Sequence, residues 1–318
     1  ETVWGGMLRY DRLGFLFKTF FLFAGVITAL FFMDMEKISD RAEAYVLLVA
    51  ALIGMCLMAS SADLVMLYLA IETTSIPLYI LAGFLKDDDK SVESGFKYLL
   101  FGAMTSAILL YGFSLVYGLT GMTSLYELQP YFDTFSPTAM GITFLVLAGL
   151  AFKVSLFPFH FWAPDVYQGA PTPVAGFLST ASKAAGFAVL IRLFTAVFPG
   201  VNADWSMIVA ILATLTMTVG NLTALAQKNI KRMLAYSSIS HAGYALIGVV
   251  AFSPLGMSST VFYLLAYLIT NLLAFAIVNI IGKATGGEEA EAFNGLSRRN
   301  ATLGLAALVA FLSLSGMP

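Results

Sequence analysis

"LAGLAFKVSLFPFHFWAPDVYQGAPTPVAGF", residues 147–177, begins as a stretch that a lipid bilayer would accept and then departs from it three times. Lys153 stands among apolar residues, Pro158 and His160 follow within a few positions, and a Pro- and Gly-rich turn carrying Asp165 closes the segment. A charge and a helix breaker this close together are tolerated at membrane depth only where the irregular backbone packs against protein or lines a water-filled space. The stretch therefore marks a polar interior, provided that the rest of the chain is a membrane bundle.

Composition meets that condition. Hydrophobic residues make up 59% of the 318 residues and charged residues only 11%, with a mean hydropathy of +0.86, whereas soluble domains carry about 25% charged residues. A net charge of −2 gives no basic surface for nucleic acid. Cys56 is the single cysteine and lies in an apolar run, so neither a disulfide framework nor a thiolate metal site is expected. The opening "ETVWGGMLRYDRL" lacks the basic start and apolar core of a cleavable signal. The chain starts at Glu1 and stops at Pro318 inside an apolar run, and it reads as a fragment of a longer one.

A bilayer core of about 30 Å takes about 20 apolar residues per helix. Ten stretches meet or approach that length: 13–33, 44–60, 63–85, 95–117, 138–163, 173–198, 204–226, 230–252, 257–282 and 301–318. The runs are continuous and not alternating, which argues for helices over a closed barrel. The fold class is an all-α polytopic membrane protein with about ten transmembrane helices. The "SSAD" link makes the second and third helices antiparallel neighbours. Basic residues test the count. Ten of them, among them Lys37, Lys86, Lys228 and Arg298, fall in connections on one side or, for Lys231 and Arg232, at the very start of the stretch that follows, and connections between spans on the other side hold none. Those loops are expected in the cytoplasm, in a multi-pass protein of the cell inner membrane. Arg9 and Arg12, before the first span, run against the rule.

Five basic residues remain within spans: Lys18, Lys97, Lys153, Lys183 and Arg192. Of the acids, Glu72 alone lies deep in one, in "LYLAIETTSIPLY". Each such charge costs about 2.5–3.5 kcal/mol at mid-helix. Glu72 could serve as a structural hydrogen-bond partner, although a neutral Gln would do that at lower cost. Lys153 and Lys183, in "STASKAAGF", sit too deep for easy snorkelling. Lys97 could snorkel to the cytoplasmic side, and for Lys18 and Arg192 snorkelling is the default. Burial disfavours a lysine ammonium and a neighbouring carboxylate favours it, so a lysine with a movable partner can load and release a proton. A static ion-pair scaffold would instead hold acids and bases in similar numbers. Both histidines of the chain, His160 and His241, fall within spans, where they can switch near neutral pH or be satisfied polar groups. Pro158 is expected to break its helix beside Lys153, Pro77 to kink the helix of Glu72, Thr172 to cap the following helix, and Asp165 to cap the cytoplasmic end.

Five spans per unit make a second unit enter from the opposite side, which is an inverted repeat. The division runs as residues 1–43, an N-terminal helix; 44–200, a first five-helix unit; and 201–318, a second unit stopping within its broken helix. "AFKVSLFP" (151–158) and "AFLSLSGMP" (310–318) reach a proline at the same stage.

"FKVSLFPFHFWAPDVYQGAPTPVAGFLSTASKAAGF" (152–187) and "QKNIKRMLAYSSISHAGY" (227–244) closely resemble the antiporter-like membrane subunits of respiratory complex I, the NADH:quinone oxidoreductase. The resemblance runs over essentially the whole chain. It implies an antiporter-like fold of two inverted five-helix units with broken helices, and proton translocation coupled to quinone reduction in other subunits. By that similarity Glu72 pairs with Lys153, Lys183 passes protons onward, Lys97 is an additional basic residue, and His241, with His160 beside the break, extends the path. The family's second broken-helix residue would follow Pro318. The chain itself has no Cys set, GxGxxG or P-loop. NAD, FMN, iron–sulfur clusters and quinone are thus expected in partner subunits, and the partners are other membrane subunits of that complex and lipids. A subunit of a multisubunit cation/proton antiporter or of a membrane-bound hydrogenase, and a non-transporting membrane scaffold, are the competing readings.

Overall fold

Long apolar runs leave the backbone one way to satisfy its polar groups in lipid, which is helix. The computed structural model describes residues 1–132, 136–197 and 202–317, and the chain is helical through most of them. A short hairpin, β1 (Thr2–Val3) and β2 (Leu8–Arg9), precedes α1 (Arg12–Met33), α2 (Ala42–Ser60), α3 (Leu64–Ala82) and α4 (Asp89–Thr120). A short α5 (Gln129–Phe132) leads to α6 (Pro137–Lys153) and α7 (Trp162–Gly169). Then come α8 (Thr172–Phe177), a π-turn at Leu178–Ser182, and α9 (Lys183–Ala196), which together form one continuous crossing. The chain continues through α10 (Asn202–Leu225), α11 (Ile230–Val250), α12 (Pro254–Thr285), a short α13 (Leu296–Arg299) and α14 (Ala301–Leu314).

Among the described residues, eight helices are long and apolar enough to cross a membrane, and Pro137–Lys153 and Ala301–Leu314 are shorter apolar helices. These ten match the ten apolar stretches one for one. Their boundaries follow from local chemistry. Asp63, Asp88, Asn229, Ser253 and Asn300 each accept a backbone N–H of the first turn, satisfying donors that the helix itself leaves orphaned. Asp88 thereby starts α4 at Asp89, six residues before the apolar run begins. Gly121 and Gly286 close α4 and α12 in the left-handed conformation that glycine adopts without a Cβ penalty.

Antiparallel α2 and α3 pack as a pair, as the "SSAD" link required, and α10 and α11 form a second such pair. The Thr172–Ala196 crossing packs against α1, α2 and α12. Its apolar window is entirely buried, whereas only 22% of that of α10 is. Helix α3 meets α4 through facing glycines: a Cβ on Gly95 would lie 2.7 Å from Gly83 Cα. Small residues let helices approach closely where lipid offers no hydrophobic drive for association.

Three local expectations are corrected. The fifth span does break beside Lys153, but the break starts before Pro158: α6 ends at Lys153, five residues earlier. Residues 154–161 carry the chain to α7 without a regular helix, and Phe157–Pro158 is a cis peptide. Pro171, not Thr172, is the N-cap of α8, with Thr172 its first residue. Asp165 lies within α7, held by side chains and not acting as a cap. Pro318 and the 200/201 boundary lie outside the described residues.

Candidate functional site

Helix α6 delivers Lys153 at its last residue, where the backbone turns aside. The break is well tied. The Trp162 indole N–H donates to the Phe152 carbonyl at 3.1 Å, and the Phe157 N–H donates to Thr216 Oγ1 at 3.0 Å. Trp162 also stacks on Tyr98 of α4, with ring centroids 4.5 Å apart. Lys153 is 5% exposed. Its Nζ crosses to α3 and donates to Ser75 Oγ at 2.7 Å. Ser75 in turn donates to the Ile71 carbonyl at 2.6 Å.

Glu72 stands three residues before Ser75 on α3, on the same side of the helix by the spacing of its turns. It is half-buried and accepts from the Ser106 hydroxyl of α4, with the Tyr68 hydroxyl 3.3 Å from that serine. The ion pairs among the described residues do not include Glu72 with Lys153. The structure brings both groups to α3 but seats the ammonium on a serine.

Lys183 opens α9 directly after the π-turn and is 2% exposed. Its Nζ donates to both the carbonyl and the hydroxyl of Ser238 on α11, at 2.7 and 2.6 Å. One turn away on α11, His241 Nδ1 is 2.5 Å from the Tyr263 hydroxyl of α12. A cavity of about 970 Å³ lies beside that pair and is lined by Ser240, Tyr244, Tyr263 and the end of α14. Lys153 and Lys183 are brought towards each other by Gly186, where a Cβ would meet Val154 at 2.5 Å and the Lys153 side chain at 3.4 Å.

Lys97 is not part of this interior group. Its Nζ is bonded to Asp165 at 2.6 Å and to Glu93 at 2.7 Å, and its side chain is one-third exposed. Asp165 also accepts from Arg232 at 2.6 Å, so α4, α7 and α11 meet at one acidic side chain. His160 is buried between the rings of Phe157 and Phe161, and its Nδ1 has no hydrogen-bond partner. Among the described residues no three His, Cys, Asp or Glu side chains converge to hold a metal.

Sequence reasoning missed Ser75, Ser106, Ser238 and Tyr263, which hold the charged groups. Ser75 had a faint signal, standing one turn after Glu72. Arg192 was expected to snorkel. It is buried and donates to Asp11 at 2.8 Å, Tyr126 at 2.7 Å and the Ala59 carbonyl at 2.5 Å. Burial pushes the Asp11 carboxyl up, but Arg192, the Gly14 N–H and Arg9 outweigh it and hold that group below the usual carboxylate range.

Lys153 thus ends α6 at the break, and Lys183 lies in the crossing that follows. Residues 61–318 match the model of the family described as NADH:quinone oxidoreductase/Mrp antiporter, TM. The chain belongs to that family. Within the NADH:quinone oxidoreductase/Mrp antiporter family it is similar to the NADH-quinone oxidoreductase subunit N of Chlorobium chlorochromatii, at 44% identity over 328 residues, covering 98% of this chain and 64% of the relative. The chain thus spans slightly less than two thirds of that relative's length. A chain of respiratory complex I from Thermus thermophilus superposes with a TM-score of 0.84 at 40% identity, over 97% of this chain and 66% of that one. A chain of the Mrp complex from Dietzia sp. DQ12-45-1b shares the fold, with a TM-score of 0.85 at 23% identity over 95% of this chain and 57% of that one.

Proposed function

We propose that this chain is a proton-translocating, antiporter-like subunit of a complex I-type NADH:quinone oxidoreductase. One observation carries the reading. Lys153 and Lys183 are buried in the membrane bundle and held by hydroxyl and carbonyl groups, with no ion pair to either among the described residues. A lysine held by neutral oxygens can give up its proton without stranding a carboxylate, which a fixed buried ion pair cannot do. Arginine in its place would never deprotonate.

In the mechanism, Glu72 attracts a proton to Lys153 and Ser75 holds the ammonium in place. Movement of the Glu72 carboxylate away from Lys153 releases the proton to Lys183. From Ser238 it passes towards His241 and Tyr263. Lys97, clamped by Asp165, supplies positive charge at the cytoplasmic end of the path, and His160 borders the break. Neighbouring subunits drive the movement of Glu72, a coupling between distinct sites. Electron transfer through NAD, FMN, iron–sulfur clusters and quinone belongs to those partners, which include other antiporter-like and small helical membrane subunits. The reading sets the chain in the cell inner membrane, with the loops of Lys37, Lys86, Lys228 and Arg298 in the cytoplasm. It also divides the chain at residues 1–43, 44–200 and 201–318 into a first helix and two inverted units.

The test is Lys153→Met in the assembled complex, reconstituted into liposomes. Proton pumping is expected to fall, and quinone reduction with it when the two are tightly coupled. Full pumping by the variant overturns the reading. Sodium or potassium transport by a complex without redox subunits would favour the cation/proton antiporter instead.

A further inference from the structure

Residues 154–161 run without regular helix, and a backbone N–H at membrane depth needs a partner that lipid cannot supply. Phe157, four residues past Lys153, finds its partner on another helix: its N–H donates to Thr216 Oγ1 of α10 at 3.0 Å. Thr216 is completely buried, on a helix that buries little of its apolar window. The buried positions of α10, Val209, Ala213, Thr216 and Gly220, recur at the spacing of a single helical face. Threonines in helices often bond back to their own backbone, and Thr214, Thr218 and Thr223 of α10 do only that. Thr216 also donates to its own helix, to the Leu212 carbonyl at 2.6 Å. A hydroxyl has one hydrogen and two lone pairs. With the hydrogen spent on Leu212, the Thr216 oxygen meets the break as an acceptor, and Phe157 brings the donor.

The same face of α10 grips α11. One turn beyond Thr216, a Cβ on Gly220 would lie 2.7 Å from the Ser240 backbone nitrogen. One turn before it, the Ala213 carbonyl oxygen lies 3.0 Å from where a Cβ on Gly243 would stand. Backbone lies against backbone on both sides of Thr216, so the two helices are placed together. Ser240 is two residues from Ser238, whose carbonyl and hydroxyl hold Lys183. Thr216 therefore stands between the break that ends at Lys153 and the helix on which Lys183 is seated.

We propose that Thr216 is a positioning residue for proton translocation, whose hydroxyl ties the break after Lys153 to the α10–α11 pair and so fixes where Lys153 is presented. It bonds to neither interior lysine and acts through the backbone of the break. Without the tie, the end of α6 loses its reference to α11, and the ammonium no longer meets Ser75 squarely. The inference rests on the proton-translocating reading, and the experiment separates the two.

The experiment uses the assembled complex in liposomes, with Thr216→Val, Thr216→Ser, Ser75→Ala, the double variant of Ser75→Ala with Thr216→Val, and Lys153→Met. Thr218→Val, at an exposed position of the same helix, is the control. Valine keeps the shape of threonine and removes the hydroxyl, whereas serine keeps the hydroxyl. Thr216→Val is expected to slow pumping by about three- to tenfold, the worth of one hydrogen bond. Thr216→Ser is expected to restore near-parental pumping, and Thr218→Val to behave as the parent does. In the double variant Thr216→Val is expected to add little to Ser75→Ala, because both disturb the seating of one lysine. A merely structural defect would multiply the two losses, and that result overturns the positioning role. Loss in Lys153→Met with parental pumping in Thr216→Val, or equal loss in Thr216→Val and Thr216→Ser, also overturns it and leaves the proton-translocating reading standing. Full pumping in Lys153→Met overturns that reading and the positioning role together. If Thr216→Val does not assemble, Thr216→Ala against Thr216→Ser, which differ by one hydroxyl, decides on the same readouts.

Discussion

Lys153 donates to Ser75 at 2.7 Å, and Ser75 is the residue one helical turn beyond Glu72 on α3. The lysine and the glutamate are thus neighbours through a serine and not a closed ion pair. Ser75→Ala removes a hydrogen bond to a charged group, worth about 1.5–3 kcal/mol. We predict that it slows proton pumping roughly tenfold while the complex still assembles, and that Glu72→Gln slows it further. Pumping assayed by a pH-sensitive dye checks both, and a parental rate in Ser75→Ala would show that the serine contact is idle.

Lys97 poses a different question, because Asp165 and Glu93 hold it at a partly exposed site. Exposed pairs contribute about 0–1 kcal/mol. Lys97→Met is therefore expected to shift the melting temperature of the complex little, so that any fall in pumping reports function. Lys97→Arg keeps the charge and the bond to Asp165 but cannot release a proton. We predict near-parental pumping for Lys97→Arg and reduced pumping for Lys97→Met. Equal loss in both would make Lys97 a proton carrier.

The Arg192–Asp11 bond joins the start of the chain to the most buried crossing. Asp11→Asn leaves the guanidinium buried without its anion and is predicted to cost about 3 kcal/mol, read as a lower thermal midpoint. The pH dependence has a definite sign. A carboxyl held below its ordinary range contributes stability above that range and loses it as pH falls through the folded value. Hydrogen exchange of residues 1–11 is expected to accelerate in acid, below the usual carboxylate range, in the parent and to be already fast in Asp11→Asn.

Gly169 offers a packing test. A Cβ there would meet the Lys90 carbonyl oxygen at 2.2 Å, and that backbone atom cannot swing aside as a flexible side chain would. Gly169→Ala is predicted to destabilise the α4–α7 contact by about 1–3 kcal/mol. Yield of assembled complex and its thermal midpoint measure this.

The ten apolar helices were legible because apolar length is written locally. Lys153, Lys183 and Glu72 were legible because a charge in an apolar run has no cheap explanation. The exit of the backbone at Lys153 was not, since Pro158 advertised the break five residues too late. The Arg192–Asp11 partnership joins residues 181 apart and leaves no mark near either one. Ser75, Ser106 and Ser238 look like ordinary small residues of membrane helices, and only the fold shows which ones face a charge.

The π-turn at Leu178–Ser182 changes which neighbours the central crossing can serve. A π-turn carries one more residue than the α-helical turn it replaces, and it shifts the phase of everything after it. Ser179, inside the turn, accepts from Asn271 of α12, whereas Lys183, four residues on, reaches Ser238 of α11. In an unbroken α-helix two residues at that spacing would share a stripe. Here a single rod addresses two different helices within five residues. Removing one residue from the turn would heal the helical register and aim the ammonium away from its oxygens. At this point the irregularity is the functional geometry, and an ideal helix would be the defect.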